Sequence, residues 1–351
     1  MSVTARTHLR PRLGFTLIEL LVVISIIALL IGILLPVLGS ARSEARAIAC
    51  GSNARQVMIA TETYVAENKE FYPPAYVYAS PGDQWDGGGS AAVRWDWAYQ
   101  DDANSNPTGG YVHWTYLLFS NGSVEESSFT CPEMENGGLP ATNPRDDAFH
   151  PDQTDGAGAG IDRQARWNAY APSEVLIPRN KFNSGANQQR LVRASEVALP
   201  SATISITEFV DNYRAIADGA GVSKAHRGIQ PFMHPTAAPA DATGFVPNAT
   251  LEGNGGTLAN YGAFVGPINN RFTPYEDLLN ATTTAIDGAP INAVGRHHPG
   301  GDGELGGEGT ANFAFADGHT VRKTVRDTVL DGDWGDRYYS LSQTITVRDN
   351  P

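Results

Sequence analysis

Two positions near the N-terminus have the types and spacing for chemistry. Gly14 is a small residue directly before Phe15, and Glu19 is the lone carboxylate in the apolar run that follows. A secretory signal is normally cut at small residues after its apolar core. Here the small residue precedes the core, so a cut after Gly14 would leave the apolar segment on the mature chain. That cut would create a cationic amine at Phe15, one helical turn from Glu19. The amine could neutralise Glu19 of the same chain or of a neighbouring copy. A carboxylate in a membrane helix costs about 2.5–3.5 kcal/mol on insertion scales, which makes Glu19 a functional residue by default.

Other constellations are weaker. His297, His298, Asp317 and His319 could bring imidazoles and a carboxylate together around a transition metal. The plainer reading is a tight turn at Asp317-Gly318 with the histidines as polar neighbours. The acidic stretch containing Asp331, Asp333 and Asp336 could offer oxygens to Ca²⁺. It lacks the twelve-residue calcium-loop pattern, and a solvated turn competes with that reading. Trp85, Trp95, Trp97 and Tyr99 could stack on sugars or a secreted cargo, or simply pack a loop on its own domain. There is no G-x-S-x-G elbow, no H-E-x-x-H and no phosphate-binding glycine loop, so the chain reads as a non-enzyme.

The elements that must position these groups follow from periodicity. Residues 15–38 would form a helix of roughly 36 Å, enough to span a hydrocarbon core of about 30 Å. Arg6, Arg10 and Arg12 precede it and no acid does, which keeps the leader cytoplasmic and exports the rest. Ala41, Ala45 and Ile48, then Val57, Ala60 and Tyr64, recur at helical spacing and predict an amphipathic continuation to about Asn68, ended by Pro73-Pro74. Gly32 and Pro36 are weak points in the first half. Beyond the helix, Ala202 to Glu208 alternates as a strand, and Ala311 to Val321 reads as a hairpin around Asp317-Gly318. A hairpin is also expected near Val93–Tyr99 and a last strand over Gln343–Arg348. Long loops are expected near residues 75–110, 135–163, 211–270 and 300–310.

Composition narrows the class. The 351 residues include 37 Gly and 22 Pro, which favours a loop-rich β fold over a helical bundle. The formal charge is −13. Loss of residues 1–14 removes three Arg and no acids, leaving 22 basic against 38 acidic side chains, or −16. Such a surface is a poor partner for nucleic acid. Two cysteines, Cys50 and Cys131, could pair in an exported chain or remain two separate buried thiols.

Gly14-Phe15-Thr16-Leu17-Ile18-Glu19-Leu20 resembles the type IV prepilin motif shared by pilins and type II secretion pseudopilins. The resemblance implies cleavage after Gly14 by a prepilin peptidase and N-methylation of Phe15. It also implies that Glu19 aligns each incoming subunit in a filament. Competing readings are a plain membrane anchor and a long secretory signal cut near Gly39-Ser40-Ala41.

A second resemblance covers most of the remaining chain. Cys50-Gly51-Ser52-Asn53-Ala54-Arg55-Gln56, Tyr72-Pro73-Pro74, Trp114 to Leu118, Cys131-Pro132 and Ile204 to Glu208 occur in order. Arg296-His297-His298-Pro299 and Ala311 to His319 follow. Together they resemble a prepilin-like group, abundant in planctomycete-type bacteria, named for a C-terminal H-x9-DG motif. The chain departs from it in having 18 residues between His298 and Asp317, the excess falling in the Gly- and acid-rich stretch 302–310.

These readings imply an α+β, pilin-like fold: a long N-terminal helix on an antiparallel sheet with long loop insertions. Residues 1–14 would be the leader, 15–38 the membrane or filament-core helix, 39–70 its amphipathic continuation and 71–351 an exported head. The implied role is a structural pseudopilin or pilin-like subunit in the inner membrane. Its partners would be the prepilin peptidase, its own copies and other pseudopilins. No cofactor is implied beyond the Ca²⁺ considered above. The alternative is a membrane-tethered binding protein that uses the leader only for export.

Overall fold

A computed structural model describes residues 16–78, 111–141, 163–178, 191–211, 225–226, 228–229, 250–253, 257–260, 294–300, 309–331, 333–334 and 345–348. Gly14, Phe15, Asp336, the Val93–Tyr99 hairpin and the four-aromatic cluster lie outside the described residues, as do most of the four expected loops. The chain divides into two compact units, residues 1–45 and 46–351.

One helix, α1, runs from Leu17 to Glu67 with Pro36 inside it. Its N-terminal part is long and apolar enough to cross a membrane, and its large side chains from Leu17 to Leu38 are solvent-exposed in the single chain. Leu, Ile and Val on every side give that part no polar face, the pattern of a helix made for an apolar medium.

The part of α1 inside the second unit is different. Its buried residues are Ala47, Cys50, Ala54, Val57, Met58, Ala60, Thr61, Tyr64 and Val65. Val57, Ala60 and Tyr64 lie on the buried face the periodicity predicts, but Ala41, Ala45 and Ile48 do not. Ile48 is 71% exposed. The face is set instead by small residues that allow close approach. A Cβ on Gly51 would come within 2.9 Å of Asn312 Oδ1, so a side chain there would push the helix off the head.

The end of α1 also differs in mechanism from the expected proline stop. Lys69 and Glu70 adopt left-handed φ values of 57° and 67°. The Glu70 amide donates back to the Val65 carbonyl, and Asn68 Nδ2 donates to the Tyr64 carbonyl at 2.8 Å. This six-to-one closure is the Schellman type of helix end, here with Lys where Gly is usual.

The short strands β1 (Tyr76–Tyr78) and β2 (Tyr111–His113) form an antiparallel pair, and the helix α2 (Trp114–Phe119) follows directly. Strands β3 (Leu139–Pro140) and β4 (Trp167–Asn168) form a second pair. The central sheet comprises β5 (Tyr170–Pro172), β6 (Ile204–Glu208), β9 (Ala311–Phe315) and β10 (Thr320–Lys323). Its order is β10-β9-β6-β5 and every pairing is antiparallel. A fourth sheet joins β7 (Thr250–Gly253), β8 (Thr257–Asn260) and β11 (Ile345–Arg348) in the order β11-β7-β8. The fold is thus α+β, with the long helix and antiparallel sheets expected of a pilin-like chain.

Register explains what the central sheet presents to α1. Tyr170 of β5 lies opposite Glu208 of β6, and Ile206 lies opposite Ala314 of β9. Because side chains alternate between faces, Tyr170, Glu208 and Asn312 form one row on one face. That row meets the helix: Tyr170 Oη donates to the Cys50 carbonyl at 2.7 Å, and Asn312 Nδ2 to the Ala47 carbonyl at 3.2 Å. Phe313 points to the other face, where its ring meets Trp334 edge-on. The α3 helix (Val325–Leu330) precedes Trp334, whose Nε1 donates to Thr328 Oγ1.

The β9–β10 connection is the hairpin predicted from Asp-Gly. Gly318 takes a left-handed φ of 87°, and the Phe315 amide donates to the His319 carbonyl.

A disulfide joins Cys50 on α1 to Cys131, with Cα atoms 4.9 Å apart. It spans 81 residues of chain, for which loop-closure entropy gives about 4 kcal/mol. Replacing both cysteines by Ala should lower the unfolding free energy of the head by about that amount in denaturant titration. Relief of the left-handed strain at Lys69 predicts that Lys69→Gly raises stability by about 1 kcal/mol and Lys69→Val lowers it.

Candidate functional site

The first candidate site is the start of α1. Thr16 is the residue just before the helix, and Glu19 stands in its first turn. The Thr16 amide and hydroxyl both donate to Glu19 Oε2 at 2.8 Å. The Glu19 amide returns a bond to Thr16 Oγ1 at 3.3 Å. This is a reciprocal capping box, in which a Thr and a Glu three residues on satisfy the free amides of a helix start. It holds the one carboxylate of the apolar segment beside the residue that follows Phe15. The local sequence thus orients an acid at the start of the helix.

The second candidate site is buried and centres on Glu208. Its Oε2 accepts the Asn312 amide at 2.8 Å, and its Oε1 accepts Asn312 Nδ2 and His298 Nε2, each at 2.9 Å. His297 Nε2 lies 3.9 Å from Oε2. Cys131 Sγ approaches the same ring nitrogens, 3.6 Å from His297 Nε2 and 3.9 Å from His298 Nε2. The two rings touch edge to face with centroids 4.4 Å apart.

The backbone explains how the histidines reach this place. The Gly295 amide donates to the Glu208 carbonyl, which continues the line of β6. His298 and Thr310 then exchange backbone bonds of 3.1 and 3.0 Å. The stretch that exceeds the nine-residue spacing is therefore closed at its base by the His298–Thr310 pair. Thr310 leads straight into β9, so the insertion leaves His298 next to the sheet.

The metal-type residues singled out from sequence separate here. Among the described residues, the cluster of metal-type donors comprises Cys50, Cys131, Glu208 and His298. Asp317 and His319 are not in it. They pair with each other at the hairpin turn, where the His319 ring stacks on Phe315. Asp331 and Asp333 both bind Lys323 Nζ, at 2.9 and 2.6 Å, so an ammonium group sits between those carboxylates.

His297, named from sequence beside His298, does reach this cluster, whereas Glu208 and Asn312 were not among the singled-out side chains. A signal for Glu208 was present: it follows Ile204 and Ile206 at inward-facing positions of an apolar strand. An acid in such a position needs donors wherever the chain brings them.

Burial alone would raise the Glu208 carboxyl, but the His298 bond, the adjoining imidazoles and Asn312 outweigh it and hold the group below its ordinary range. Burial pushes His297 below its ordinary value. Glu208 binds its proton less readily in the folded state. Its stabilisation is whole above the unfolded carboxylate range and is lost as pH falls through the lower folded value. His297 acts with the same sign, starting just below the ordinary imidazole range. The head should therefore lose stability progressively as pH falls from 7 towards 4, measured as a falling melting temperature. Glu208→Gln should cost about 3 kcal/mol at pH 7 and flatten the acid limb below the imidazole range.

Comparison with known proteins bears on the first site. Residues 9–35 match the family described as the prokaryotic N-terminal methylation motif. No curated protein and no solved structure matches the chain. The matched residues contain Gly14, Phe15 and Glu19, so the chain carries a prepilin-type leader followed by an apolar helix of membrane-spanning length.

Proposed function

We propose that this chain is a pilin-type structural subunit, a pseudopilin or pilin-like protein of an envelope filament. It is cut after Gly14 by a prepilin peptidase, methylated at Phe15, and added to a bundle of its own apolar helices. The observation that carries this reading is the prepilin-type match over residues 9–35 at the head of a 51-residue helix. The apolar half of that helix is exposed all round in the single chain, which suits first a bilayer and then a filament core. The head is assigned to the exported side, as the arginine-bearing leader suggests.

The second resemblance supports a finer assignment of the head to the H-x9-DG group. Its marks are scattered in sequence, yet Cys50, Cys131, Glu208, His298 and Asn312 all belong to one buried cluster. Residues that form a single cluster are readily read as one inherited set.

The capping box sharpens the role of Glu19. A glutamine at this position still accepts from Thr16, because a capping box works with Glu or Gln. Glu19→Gln therefore keeps the helix start but removes the charge that would pair with the Phe15 amine. The mature N-terminus should remain a methylated Phe15 by mass spectrometry in both proteins. Crosslinks between neighbouring Phe15 regions should fall about tenfold or more, the scale of one charge-assisted hydrogen bond. Crosslinking at the wild-type yield, or an N-terminus at Arg42, would sink the reading.

A further inference from the structure

The buried cluster around Cys131 holds more polar chemistry than a disulfide needs. Two imidazole nitrogens lie 3.6 and 3.9 Å from Cys131 Sγ, and a Glu208 oxygen lies within 4.8 Å of it. All of these groups are buried. Both imidazoles approach through Nε2, and neither Nδ1 has a hydrogen-bond partner. The rings are thus positioned by what lies at Nε2, and that is the sulfur and the carboxylate.

The donor set and its sulfur-to-nitrogen spacing match a known coordination chemistry, and reduction of the disulfide lets the two sulfurs part. One donor atom from each of Cys50, Cys131, Glu208 and His298 lies within 4.8 Å of the others. Zinc binds thiolate at about 2.3 Å, imidazole nitrogen at about 2.0–2.1 Å and carboxylate oxygen at about 2.0–2.2 Å. In a tetrahedron those bond lengths put a sulfur and a nitrogen about 3.5 Å apart. The Cys131 Sγ to His298 Nε2 distance is 3.9 Å, close to that edge. Two sulfurs, one imidazole and one carboxylate complete four positions, with Asn312 holding the carboxylate from behind as an outer-shell donor.

We propose that Cys50, Cys131, His298 and Glu208 form a Zn²⁺-type centre whenever their disulfide is reduced. One buried position is then closed by a covalent bond in an oxidising setting and by a metal ion in a reducing one. The chemistry balances as two steps. A dithiol reductant gives two electrons and two protons to the disulfide, becoming a disulfide itself and leaving Cys50 and Cys131 as thiols. Zn²⁺ then takes both sulfurs as thiolates and two protons pass to water. The proton that His298 Nε2 donates to Glu208 in the metal-free state passes to Nδ1, which frees Nε2 for the metal, and Glu208 enters as a carboxylate. The centre ties the same point of α1 to the same point of the head in either state.

The test uses the full-length protein in detergent, reduced with a phosphine and given Zn²⁺ or Co²⁺ alone. The expected result is one equivalent of Zn²⁺ retained through gel filtration and two thiols protected from titration. Co²⁺ should give near-ultraviolet thiolate-to-metal bands. The melting temperature of the reduced protein should rise with added Zn²⁺, while the oxidised protein should retain none. His298→Ala should weaken Zn²⁺ binding about tenfold or more, and Cys50→Ser should remove most of the thiolate band. Three results would overturn the proposal. One is a folded, reduced protein with two free thiols and no retained metal. Another is a reduced chain that stays unfolded at saturating Zn²⁺. The third is Zn²⁺ binding of equal strength in the Cys50→Ser, His298→Ala double variant, which would place the metal elsewhere.

Discussion

A carboxylate in the middle of an apolar core must be bonded on every side, and Glu208 imposes that condition on the whole head. Uncompensated, a buried charge costs several kcal/mol, so the fold is constrained to bring donors to both of its oxygens. Asn312 supplies two from the neighbouring strand, which fixes the β6–β9 register at that point. His298 supplies a third, which fixes where the chain must run between Val294 and Thr310. The second amide hydrogen of Asn312 then turns to the Ala47 carbonyl. A single acid thus places a sheet register, a connecting segment and the docking level of the long helix.

The long helix satisfies two environments with one continuous backbone, and residue size divides the work. Above Leu38 in sequence order, large aliphatic side chains give way to Ala47, Cys50, Gly51 and Ala54. Large side chains suit lipid or other helices, where interchangeable apolar contacts are enough. Small ones suit the head, because Tyr170 and Asn312 reach the backbone carbonyls themselves. Those carbonyls are already bonded within the helix, so the sheet uses their second lone pairs and no helical bond is lost. Asn53 and Arg46 add outer contacts, to the Thr130 carbonyl and Glu133.

Sequence made some of this legible and hid the rest for definite reasons. The apolar helix, the Ile204 to Glu208 strand and the Asp317-Gly318 hairpin rest on local patterns: composition, alternation and a turn that needs a left-handed residue. They need no knowledge of distant contacts. The buried face of α1 between Ala41 and Ile48 was misjudged because periodicity weighs apolar size. Tight docking selects the smallest residues instead, and Ile48 is left outside. The end of the helix near Asn68 was legible, but its left-handed closure at Lys69 was hidden because a lysine there carries no glycine-like signature. The role of Glu208 was hidden because the meaning of a buried acid depends on donors about 90 residues away in the chain. Local pattern fixes what kind of element forms, and long-range pairing fixes which polar residues become its centre.

The placement of the covalent link has a mechanical consequence for the proposed subunit. A filament subunit is held through its apolar helix and loaded through its head, so force must pass between them along α1. Where it passes matters, since a lone helix end frays turn by turn under load. Here the covalent grip on the helix lies near Ala47 to Asn53, away from its C-terminal end. The grip combines a disulfide, two hydrogen bonds to helix carbonyls and a hydrogen bond from the Asn53 amide. Residues 54 to 67 share the load through core packing and through hydrogen bonds at Gln56 and Glu67. The left-handed turn at Lys69 then needs only to end a helix, which is why a residue of modest suitability is tolerated there.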